Sequence, residues 1–145
     1  MNNFRLIWIF YTILCLFFYI GCVGPPEDEY GPEVDNTQDL FIYSLNGEKY
    51  SSEDSYELNL SLSDSIHKVI TRLIVSDYTG SNRDTSIITV ENDSTIANVF
   101  HITSNYSSPS SETEVDSVFY FPKSVSIKTD QFIGKMEFMM VRSNI

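Results

Sequence analysis

Tyr56-Glu57-Leu58-Asn59-Leu60-Ser61-Leu62-Ser63 sets apolar against polar side chains in strict alternation. Successive side chains of a strand point to opposite faces, so this period of two predicts a half-buried strand. Its inner face is expected to be Tyr56, Leu58, Leu60 and Leu62. A helix would repeat its apolar positions every 3.6 residues, and after the N-terminal segment no window beyond ten residues does so.

The short period recurs on both sides of this stretch. Upstream, Leu40-Phe41-Ile42-Tyr43-Ser44-Leu45 runs into Asn46-Gly47, the strongest short hairpin signal, and then Glu48-Lys49-Tyr50. Downstream, Lys68 to Val75 is rich in β-branched residues and reads as strand. Ser76 to Asp84, with Gly80 and Asn82, turns the chain into Thr85 to Val90, and Glu91-Asn92-Asp93 turns it again into Thr95 to Thr103. Five serines and Pro109 make Ser104 to Glu114 an expected long flexible loop. Val115 to Phe121 continues as strand until Pro122, Ser124 to Lys128 resumes it, and Phe132 to Val141 closes the chain with a bulge expected at Gly134. Seven to nine short antiparallel strands over residues 40–145 predict an all-β sandwich, immunoglobulin-like or related, with an open barrel as the alternative. Such folds host adhesins, carbohydrate binders, inhibitors and spacers alike, so function has to come from sites.

Composition narrows those sites. The 145 residues suit one domain, and ten Phe and nine Tyr supply large apolar areas for its core. Twenty acids against nine bases give a net charge of −11, which repels nucleic acid and anionic lipid surfaces. Without its first 21 residues the chain keeps eight bases and twenty acids, so its charge becomes −12. Only Cys15 and Cys22 are present, too few for a disulfide framework once Cys15 is left in an apolar leader.

Residues 1–21 form that leader: Arg5 supplies a positive start, and Leu6 to Ile20 is apolar except for Thr12. A permanent transmembrane helix over Leu6 to Val23 is the competing reading, and both readings place the domain outside the cytoplasm. Tyr19-Ile20-Gly21-Cys22 resembles the lipobox of bacterial lipoproteins, with Tyr19 where that family usually has Leu. The resemblance implies cleavage after Gly21 and lipidation of Cys22. Several acyl chains, at about 0.8 kcal/mol per buried CH₂, would hold the protein firmly on a membrane.

Residues 22–39 carry three prolines and six acids and are expected to be a disordered tether. Extended, the seventeen residues after Cys22 reach roughly 55 Å at about 3.3 Å per residue. Glu27-Asp28-Glu29 resembles the acidic clusters that direct lipoproteins of Bacteroidota to the outer face of the outer membrane. Tyr30-Gly31-Pro32 is similar to a stretch found soon after the cysteine in small lipoproteins of the same group.

Motifs for chemistry are few. His67 and His101 lack ligand partners at a recognised spacing, and no metal or cofactor is expected. Asp77 to Asp84 surrounds Gly80 with oxygens but lacks the order of a calcium loop. No serine sits in a Gly-x-Ser-x-Gly turn, and Glu112 and Glu114 lack the apolar surroundings that tune a catalytic carboxylate. Asp64-Ser65-Ile66, Asp93-Ser94-Thr95 and Asp116-Ser117-Val118 are similar to the O-glycan acceptor of Bacteroidota, which implies modification at Ser65, Ser94 and Ser117.

The expected function is therefore a lipid-anchored envelope protein with a non-catalytic binding role, its partner a glycan or a protein. Loops bearing Tyr78 and Tyr106 are the expected contacts. The alternative is an assembly component that docks by strand addition, for which Phe132 to Val141 would have to be an exposed edge. A hydrolase is the remaining alternative, and it would need a cleft with convergent polar groups.

Overall fold

Two long strands organise the molecule. The computed structural model describes residues 31–80, 85–93 and 95–145. Strand β2 (Leu40–Glu57) and strand β8 (Ser124–Asn144) pair antiparallel from Leu40↔Val141 to Glu57↔Ser124. The register shifts between Glu48 and Ser52, where Lys49 has φ 61°, and Gln131 of β8, whose N–H donates to Ser51 Oγ, has φ 49°. Those left-handed residues kink both strands together, so one ribbon serves two half-sheets.

In the larger half, β1 (Glu33–Asn36) pairs with β2, and β8 pairs on its other side with β3 (His67–Ser76). Strand β3 also holds the short β6 (Tyr106–Ser107) and β7 (Ser111–Glu114). In the smaller half, the start of β8 pairs with β4 (Ser86–Glu91), which pairs with β5 (Ile96–Ile102). The result is one eight-stranded antiparallel sheet that does not close, folded into a sandwich-like all-β domain. No helix occurs among the described residues.

Alternation builds the core. Phe41, Tyr43 and Leu45 of β2 face inward with Met136, Phe138 and Met140 of β8. In the smaller half, Ile88 and Val90 of β4 face inward beside their ladder partners Ile127 and Val125 of β8. Ring contacts join the halves: Phe100 of β5 lies 5.5 Å from Phe138, and Tyr56 lies 5.8 Å from Phe41.

Several expectations change. Asn46-Gly47 makes no hairpin, because β2 runs straight through it. Gly47 instead serves close approach: a Cβ there would stand 2.6 Å from the Phe132 ring and 2.8 Å from the Phe132 carbonyl oxygen. Tyr56 to Ser63 keeps its predicted facing, with Leu58, Leu60 and Leu62 inward of their neighbours, but the ladder stops at Glu57. Beyond it the backbone is held by single bonds, Leu58 N to Lys123 O and Ser61 N to Gln38 O, and by Asn36, whose side chain accepts from Asn59 N. The bulge expected at Gly134 lies instead between Glu48 and Ser52, since Gly134 pairs in regular register with Gly47; the glycine serves a positive φ of 137° and the close approach of the Ser76 carbonyl.

Ser104 to Glu114 is not a free loop, since β6 and β7 pair with β3. Val115 to Phe121 is not a strand but a turn closed by the Asp116↔Tyr120 bridge. Phe132 to Val141 is no edge, because β8 has β2 on one side and β3 on the other. The sheet also begins earlier than Leu40, as β1 falls inside the residues 22–39 expected to be tether.

Candidate functional site

The turn after β7 presents the most exposed apolar side chains of the described residues. Val118 is 77% exposed and Phe119 79%. Exposure on that scale usually goes with a mobile tip, yet this turn is tightly tied. Asp116 and Tyr120 exchange two backbone hydrogen bonds of 2.9 and 2.8 Å. The Asp116 carboxylate accepts from Val118 N at 2.7 Å and Phe119 N at 3.2 Å, which is how a short acidic side chain mimics a backbone turn. Asn92, in the β4 to β5 turn, donates to Phe119 O at 3.4 Å and accepts from Phe121 N at 3.2 Å. Val115 and Tyr120, both buried, pin the two ends of the turn to the core.

Beside the turn lies the segment before β3. Ser117 Oγ donates to Asp64 Oδ2 at 3.0 Å, and Ile66 is 58% exposed. Phe119, Tyr120, Asp64, Glu114 and Asp116 line one shallow hollow. The surface is thus an apolar tip with carboxylates around it. Burial raises the Tyr120 phenol above its usual range, with Thr71 and Asn98 beside it pulling the other way, so the hydroxyl stays neutral.

The expected contacts sit elsewhere. Tyr78 is half-buried, its ring 5.8 Å from Phe132 and its backbone N–H donated to Asn105 Oδ1 at 2.8 Å. A Cβ at Gly80 would stand 2.5 Å from the Tyr78 hydroxyl, so the ring lies directly against this glycine. Tyr106, on β6, is 50% exposed and lines a separate hollow with Leu73, Val99 and Phe100. Asn105 therefore brings the Tyr78 and Tyr106 segments together, but Tyr78 is spent on packing.

Ser65 and Ser117 are both exposed and share Asp64, since Ser65 Oγ also contacts Asp64 Oδ1 at 3.4 Å. Ser94, Gly21, Cys22, Glu27, Asp28 and Glu29 lie outside the described residues. His67 Nδ1 accepts from Ser63 N at 2.8 Å, and His101 is exposed on β5. Glu112 pairs with Lys68 at 2.7 Å, and Asp77 lies 3.6 Å from Lys135. Among the described residues no three His, Cys, Asp or Glu side chains converge.

The tip was hidden in the sequence because Val115-Asp116-Ser117-Val118-Phe119-Tyr120-Phe121 has the composition of a strand. The available signal was Asp116 placed two residues before Val118, with Pro122 close behind. No family model matches the chain, and neither a curated protein nor a solved structure gives a significant match.

Proposed function

We propose that this is a lipid-anchored cell-envelope protein whose β domain binds a protein partner, without catalysis, through the Val118-Phe119 tip. The observation that carries the reading is the combination of near-complete exposure with a hydrogen-bonded turn. A backbone turn already held in place loses little freedom on binding, and a large aromatic entering a partner's pocket is the usual energetic centre of an interface. Val118 beside Phe119 favours a protein over a glycan, because sugar rings stack on adjoining aromatic faces. The exposed rings Tyr106 and Phe119 line different hollows.

Anchoring is supported by Gly21-Cys22 after the apolar run, and an outer-membrane location facing outward by Glu27-Asp28-Glu29. The test is purification of the full chain from native membranes beside a Val118→Ser, Phe119→Ser variant. A co-purifying protein is expected with the parent and absent from the variant, with thermal unfolding unchanged. Identical co-purifying proteins in both would refute the tip as the contact.

Strand addition is favoured by one observation. Among the described residues strand β5 pairs only with β4, has no Lys, Pro or acid in its seven residues, and exposes Ile96 and Val99. Edges without such guards accept another strand. Val99→Lys is expected to abolish co-purification on this reading and to leave it intact if the tip is the contact.

A further inference from the structure

The outer face of the larger half-sheet is unlike a layer with only water above it. The register places Leu40, Val141 and Ile70 side by side, with Ile42, Met139 and Arg72 in the adjacent row. These residues alternate with fully buried neighbours, so they point outward, and each is partly exposed. A solvated sheet face normally carries polar residues at these positions.

Arg72 is the only cation in those two rows, and it forms no hydrogen bond or ion pair among the described residues. Its Nε–H is shielded from water and has no acceptor. Lys68, farther along the same strand, has by contrast recruited Glu112. A desolvated guanidinium N–H without an acceptor is costly, and a carboxylate is the acceptor whose geometry fits the fork. The margin of the face carries more acid than base: Asp35 lies opposite Ile42 in the register, Glu33 opposite Ser44, and Glu137 next to Met139 on the same face, while Lys135 beyond Glu137 faces Asp77 at 3.6 Å.

We propose that this face, centred on Arg72, docks a protein that presents an apolar strip bearing one carboxylate, with basic residues around it. Charge complementarity selects that occupant. A second copy of the chain would bring its own Arg72 and its own acidic margin against their like, which disfavours self-association. The face is separate from the Val118-Phe119 tip and does not depend on it.

The test places a photoreactive benzoylphenylalanine at Met139 in the full chain, in membranes of the cells that make it, and identifies the cross-linked peptide by mass spectrometry. The expected product is one protein, joined through a peptide with Asp or Glu among apolar residues. Its yield should fall at least about tenfold with Arg72→Glu, by the loss of one buried charged contact, and less with Arg72→Lys, while Phe119→Ser leaves it unchanged. If Arg72→Glu lowers the melting temperature, Ile42→Glu replaces it, with the same loss expected. No cross-link, cross-links to lipid or to a second copy, or a yield indifferent to both variants would overturn the proposal.

Discussion

Single residues at the kink of β2 show how close packing and backbone conformation divide the work. Gly47→Ala drives a methyl group into the Phe132 ring and carbonyl, and overpacking of that kind costs about 1–3 kcal/mol. Lys49, two residues on, is exposed with φ 61°, a region that penalises any residue with a Cβ by about 1–2 kcal/mol. Lys49→Gly is therefore expected to raise the melting temperature and Gly47→Ala to lower it, in paired thermal scans. The Gly47 effect depends on Phe132 across the strand, so Asn46-Gly47 read alone could only suggest a hairpin. The inward facing of Leu58, Leu60 and Leu62 was legible because it needs nothing beyond period two.

Tyr43 carries a pH dependence at the same scale. Burial first, then the neighbouring Tyr56, Tyr50 and Asp54, push its phenol well above the ordinary value, and burial also raises Tyr56 and Tyr120. The unfolded chain then ionises first, near pH 10, so stability is complete below that pH and falls as pH rises through it. Ser52 stands beside the Tyr43 hydroxyl but outside good hydrogen-bond geometry, so Tyr43→Phe should fold nearly as well as the parent at pH 8. Urea midpoints at pH 8 and 11 check this: the parent is expected to lose more stability between them than Tyr43→Phe, and equal losses would contradict it.

At the scale of elements, the 116–120 turn separates what shapes the tip from what it presents. Asp116→Ala removes two charge-assisted hydrogen bonds and is expected to cost about 1–3 kcal/mol, seen as a lower urea midpoint. Phe119→Ser removes a side chain that touches little and should leave the midpoint in place. Strand composition concealed this turn, just as serine content concealed β6 and β7. In both cases propensity describes the residue, whereas the neighbour that pairs with it decides the element. The position of β8 was likewise out of reach, because a strand near the end of the sequence can occupy the middle of a sheet. Only the pairing with β2 and β3 shows that it does.

For the whole molecule, the all-β class followed from short alternating runs and frequent turns, since no helix can bury a period of two. Strand order and the exposed faces did not follow, because they are set by contacts between residues far apart in sequence. Two such faces emerge, the clamped tip and the apolar face around Arg72, on a domain with a large negative charge. The proposed envelope location rests on the proposed anchor at Cys22, and intact mass of the mature chain extracted from native membranes tests it most directly. A chain that starts at Cys22 and carries the increment of several acyl groups is the predicted result. A chain that retains residues 1–21, or an unmodified Cys22, would contradict it.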